Sequence, residues 1–197
     1  MKHLSRYILE GVVILLLLSS VFHPAHAKTF KGRVVDADTK GPIEGAVVVA
    51  YWYKATATIT GDATELKDVK ECLTGKNGEW SINGPKGRPN NPNPLFTLMT
   101  GTYYTREPQF IVFKPGYCSW PKGFEIDSCK DKIKPGGNEK LREEETVELP
   151  KLTNRKDRIE AQSIQEPAGE GVDEKLRELH RLLNEERRNL GMREIRY

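Results

Sequence analysis

From Thr29 to about Leu152, apolar residues come in short runs separated by turn residues. Phe30–Asp36 predicts a strand that ends in the turn run Asp38-Thr39-Lys40-Gly41-Pro42. Ala46–Tyr53 is rich in β-branched and aromatic residues and is the clearest strand of the chain. Ala55–Ile59 either continues it or begins a neighbouring edge strand. Cys72–Thr74 and Glu79–Ile82 flank Gly75-Lys76-Asn77-Gly78, the pattern of a hairpin closed by a tight Asn-Gly turn. Gly84–Pro94 holds four prolines, three asparagines and two glycines, which predicts a loop. Phe96–Met99, Gln109–Phe113 and Glu145–Leu149 are further strands, and Lys114-Pro115-Gly116-Tyr117 is a turn. Short strands and frequent turns favour an all-β sandwich over alternating strands and helices. The expected inward set is Phe30, Val34, Ile43, Ala46, Val48, Ala50, Trp80, Ile82, Phe110 and Val112.

After Leu152 the pattern changes. Asn154–Ile164 is polar and long enough for a helical turn or two, and Pro167–Gly171 reads as a linker. Asp173 is placed to cap a helix reaching about Leu190, with Glu174 near its positive end and Arg187 and Arg188 near its negative end. Leu176, Leu179, Leu182, Leu183 and Leu190 recur at helical spacing. This C-terminal amphipathic helix is expected to dock on its own domain, with self-association through Leu176, Leu179 and Leu183 as the alternative.

The first residues are of another kind. Lys2 and Arg6 precede the apolar stretch Ile8–Val21, and Ala25-His26-Ala27 offers the small residues of a signal-peptidase site. The stretch is short of the ~20 residues a spanning helix needs. The expected layout is a signal peptide over 1–27 cleaved after Ala27, a sandwich domain over 28–152, a polar linker over 153–171 and a terminal helix over 172–197. That implies a periplasmic or secreted protein with no stable membrane span once cleaved. A retained anchor is the alternative.

Charge and histidine content then narrow the chemistry. Lys and Arg number 31 against 28 Asp and Glu, a net charge of +3. Lys2, Arg6 and Glu10 lie in the first 27 residues, which leaves 29 and 27, near +2. Nothing here predicts nucleic-acid binding. His3, His23 and His26 also lie in the signal segment, so His180 is the only histidine beyond it. That removes most histidine catalysis and most zinc sites, and no cofactor or metal is expected. A Ser-His-Asp hydrolase would need His180, which reads as a solvated residue of a polar helix. Gly84-Pro85-Lys86-Gly87 lacks the spacing of a phosphate loop.

Three cysteines remain, Cys72, Cys118 and Cys129. In an oxidising compartment thiols pair, and closing the short stretch between Cys118 and Cys129 costs little entropy. That pair is preferred, and Cys72–Cys118 and Cys72–Cys129 compete with it. Asp36 and Asp38 offer calcium ligands, although two carboxylates in a turn more often cap it. Tyr103, Tyr104 and Trp120 are the aromatic residues expected at the surface, where ring faces suit sugars, whereas Trp80 reads as core.

Gly32-Arg33-Val34-Val35-Asp36, Thr39-Lys40-Gly41-Pro42-Ile43 and Gly45-Ala46-Val47-Val48-Val49 resemble the carboxypeptidase regulatory-like domain family. The resemblance continues through Thr74–Ile82 and through Phe110–Tyr117 with its terminal Gly-Tyr. It implies a transthyretin-like (prealbumin-like) Greek-key β-sandwich used as a non-catalytic accessory. Lys54–Lys70, the Pro/Asn loop and Cys118–Cys129 depart from the family pattern as insertions, where specificity would be built. The same stretch with Trp52 is also similar to intradiol dioxygenases, which hold iron with two tyrosines and two histidines. Tyr103, Tyr104 and Tyr117 offer phenolates, but His180 alone cannot supply the imidazoles. The expected function is therefore an exported, non-catalytic module binding another envelope protein, with a carbohydrate-binding accessory domain as the alternative and a cryptic metalloenzyme third.

Overall fold

The computed structural model describes residues 27–86, 99–101, 103–121, 126–130, 141 and 144–197. Residues 1–26, and with them most of the expected signal segment, lie outside it, as do residues 87–98 of the expected loop and strand.

Strands dominate, and they form two sheets. In the first, β1 (Thr29–Asp36) lies between β4 (Glu79–Asn83), antiparallel to it, and β7 (Glu145–Leu149), parallel to it. In the second, β2 (Val47–Thr58) pairs along one side with β3 (Gly61–Leu73). Its other side is shared by β6 (Gln109–Phe113) at Val47–Tyr51 and β5 (Tyr103–Thr105) at Lys54–Thr56, all antiparallel. Helices α1 (Asp127–Lys130), α2 (Arg155–Glu160), α3 (Val172–Lys175) and α4 (Arg177–Asn189) follow in chain order among the described residues.

Between the sheets lies a core that takes in every residue of the expected inward set, Phe30 half-buried and the others buried. Phe30 packs on Trp52 and Phe110 with ring centroids 6.0 and 5.8 Å apart. Successive strand residues face opposite sides, so Val47, Val49, Tyr51, Ile111 and Phe113 point away from that core. They form a second core with Val172, Leu176, Leu179, Leu182 and Leu183. The leucine face is thus covered by the chain's own sheet, giving three layers of sheet, sheet and helix. It also explains why Ala46–Trp52 is apolar without alternation, since β2 is buried on both faces.

Several local expectations change. Thr74 and Gly75–Glu79 do make a tight turn, with Gly78 N–H donating to Gly75 O at 2.8 Å and Gly75 N–H to Glu79 O at 2.9 Å. The flanking strands nevertheless part into different sheets, because β3 finds β2 and β4 finds β1. The expected hairpin over 72–82 is a crossover. Met99, expected to end a strand, is helical and exposed. Lys40, at φ 59°, takes the left-handed position of the turn Asp38–Pro42. Asp173 lies inside the first turn of α3, which follows Gly171, and Leu176 interrupts the helix before α4. No side chain of the helix itself caps α4. Instead the Glu71 carboxylate of β3 accepts from Glu178 N at 2.7 Å and Leu179 N at 3.1 Å. The expected linker is packed as well: Arg158 holds buried Glu186 through two 2.7 Å bonds, and Arg155 donates to Leu190 O at 3.0 Å.

Candidate functional site

The β2–β3 hairpin is longer than the inter-sheet core beneath it. Inward burial along β2 stops at Trp52, and the next residues of that face are half-buried Lys54 and Thr56 and exposed Thr58. At this boundary the register shifts: Trp52 faces Asp68 while Tyr53 faces Leu66, which leaves Lys67 as the extra residue of a bulge. The segment expected to be an insertion is therefore a regular extension of two core strands, with Ile59 in the turn at its tip.

β5 docks on this extension and settles where the two tyrosines go. Tyr103 faces Thr56 and Tyr104 faces Ala55, so they occupy opposite faces and do not form one platform. Tyr103 is 53% exposed. Lys54 and Lys67 sit over its ring at 5.9 and 5.5 Å from the centroid, within cation–π range. Lys54 also pairs with Glu65 at 2.9 Å, and Lys67 donates to Thr105 Oγ1 at 2.6 Å. On the other face Tyr104 donates to the Asp62 carboxylate, which also takes Arg106 at 2.9 Å. The Tyr104 hydroxyl, and then Arg106, hold the Asp62 carboxyl below its ordinary range, and the same bond raises the Tyr104 phenol. This triad pins β5 to the hairpin. Composition and spacing carried no sign of it, because it depends on register.

Trp120 belongs elsewhere. It is 3% exposed in the inter-sheet core, bridged to Val112, so the expectation of an exposed stacking ring is corrected. Trp52 and Trp80 are buried beside it. Tyr117 faces Asp36, and Tyr104 faces Asp62, so the tyrosines offered as iron ligands are not brought together. Asp36 caps its turn, accepting from Asp38 N at 2.9 Å and Thr39 N at 2.8 Å. Cys118 and Cys129 are joined, with Cα atoms 6.2 Å apart, while Cys72 is free, half-buried and has its thiol pushed up by burial.

Two features lie beside the hairpin. A half-open cleft of about 410 Å³ separates the outer part of β3 from residues 168–175, with Tyr53, Thr64 and Leu66 on one side and Gly169, Val172 and Lys175 on the other. Lys175 reaches across to Asp68 at 3.0 Å. On α4, His180 is buried rather than solvated: its Nε2 lies 2.9 Å from Glu166 Oε2, and the Tyr197 ring stacks on it at 3.5 Å and 5°. Comparison with families of known proteins, with curated proteins and with solved structures finds no match.

Proposed function

We propose that the chain is an exported, non-catalytic binding module of the carboxypeptidase regulatory-like, prealbumin-like Greek-key kind, which grips another envelope protein with the tip of its β2–β3 hairpin. One observation carries this reading. Among the described residues six large hydrophobic side chains are exposed, and two of them, Ile59 (94%) and Tyr103, belong to this one end of the molecule, with Met99 on the chain leading to it. Ile59 is the tip itself, Tyr103 faces Thr56 two residues before the end of β2, and Met99 lies four residues ahead of Tyr103 on the chain entering β5. Single exposed apolar residues are ordinary, whereas a cluster rimmed by polar groups marks a protein-binding surface. Beside Tyr103 the rim is Lys54 and Lys67, which suits a partner presenting apolar residues beside carboxylates. Tyr103 alone offers an exposed ring flanked by lysines, so a glycan platform is the weaker reading. Export rests on the amino-terminal pattern, and the family on the motifs around Gly32, Gly41-Pro42 and Gly116-Tyr117.

The test is site-specific photo-crosslinking of the full chain in the cell that makes it. A photoreactive residue at Ile59 or Tyr103 is expected to give one discrete heavier adduct. The same residue at Thr146, exposed on β7, is expected to give none. Adducts from Thr146 but not from Ile59 or Tyr103, or no adduct from any position, would overturn the assignment of this surface.

A further inference from the structure

The geometry points to a zinc site formed by Glu166, Asp173 and His180, three side chains that the helical layer brings together from three separate segments. One ligand atom from each lies within 4.8 Å of the other two. Scarcity of histidine argued against zinc in the sequence. The fold answers part of that objection by adding two carboxylates to the one available imidazole.

The donor set matches the ion. Zinc takes imidazole nitrogen and carboxylate oxygen at about 2.0–2.2 Å, which sets tetrahedral ligands about 3.3 Å apart. His180 Nε2 and Glu166 Oε2 are already 2.9 Å apart. Asp173, exposed in the first turn of α3, supplies the third ligand oxygen within 4.8 Å of the other two. The imidazole is held ready: its side chain is 8% exposed, and Tyr197 covers one ring face. Charge agrees too. Among the described residues neither Glu166 nor Asp173 has a lysine or arginine ion-pair partner, and both carboxylates converge on the one imidazole. Three protein ligands leave a fourth position for water. The ion would join the segment after α2 to α3 and α4, tightening the layer that covers the second core.

The test is calorimetric titration of the chelator-dialysed protein with ZnCl₂, followed by thermal unfolding with and without the ion. Binding of one zinc per chain is expected, with a midpoint that rises on zinc addition and returns with EDTA. CaCl₂ should give no heat, since calcium needs six to eight oxygens. Asp173→Asn keeps the His180–Glu166 bond and the fold, and should weaken zinc binding about tenfold or more. His180→Gln should abolish it. No zinc heat in the native protein, equal binding of calcium, or an Asp173→Asn variant that binds as the native protein does would each overturn the site.

Discussion

Gly32 shows how a single position fixes the three-stranded sheet. It sits on β1 opposite Trp80, and a Cβ there would meet Glu145 O at 2.5 Å and the Trp80 ring at 2.8 Å. Neither neighbour can yield, one being backbone of a paired strand and the other a buried indole. Gly32→Ala is expected to cost about 1–3 kcal/mol in urea unfolding, the usual range for overpacking. An unchanged midpoint would show that β4 and β7 can shift away from β1 to admit the methyl group. Two carboxylates provide an opposed pair of pH signatures. Burial raises the Glu71 carboxyl, against the pull of its bonds to Glu178 N and Leu179 N. A folded value above the unfolded one means stability present at low pH and lost as pH rises through the folded value. The Thr39 amide, against the smaller opposing effect of burial, holds the Asp36 carboxyl low. Its contribution is present above the unfolded value and lost as pH falls through the folded one. Denaturant unfolding from pH 3 to 7 should therefore show the native protein losing ground to Glu71→Gln as pH rises, and to Asp36→Asn as pH falls. Parallel curves would mean that neither carboxyl is perturbed.

At the scale of elements, α4 is held by contacts that its own sequence does not contain. Its leucines meet β2 and β6, its amino end is capped by Glu71 from β3, and its buried Glu186 is neutralised by Arg158 from α2. Arg158→Ala leaves that carboxylate buried and alone, a loss of about 3–5 kcal/mol. The double variant Arg158→Met with Glu186→Leu removes both charges and should recover most of it. A double variant as unstable as the single one would show that the pair matters for more than charge compensation. The leucine stripe was legible because its period is local, and so were the strands read at Phe30–Asp36, Ala46–Tyr53, Gln109–Phe113 and Glu145–Leu149. What failed to show were features that depend on the partner of a segment. The Asn77-Gly78 turn has the same chemistry whether its strands stay paired or part into two sheets. Trp120 has no local mark of burial, because its cover comes from β6 and from the other sheet. Tyr103 and Tyr104 read as a pair, yet strand alternation sends them to opposite faces, and the one-residue bulge at Lys67 that brings a second lysine to Tyr103 has no composition signal at all.

At the scale of the molecule, the central strand β2 belongs to two cores at once. Val48, Ala50 and Trp52 face the other sheet, while Val47, Val49 and Tyr51 face the helices. The sequence suggests a sandwich complete by Leu152 with a helix attached beyond it, since β-pattern and helix pattern meet there. Physically the join is within the hydrophobic interior. Removing residues 153–197 would uncover Val47, Val49, Tyr51, Ile111 and Phe113 together, and full burial of side chains of this size contributes about 1.5–3 kcal/mol each. It would also leave Glu71 without the two amides it accepts. A chain shortened to end at Leu152 is therefore expected to aggregate or to bind a hydrophobic dye strongly. Leu179→Ala in the full chain should cost about 2–5 kcal/mol without changing the mass seen in sedimentation. Size-exclusion chromatography and urea unfolding of both variants decide the point. A shortened chain that runs as a monomer with the full chain's unfolding midpoint would show that the helical layer is an attachment, and that the sheet carries its second face bare.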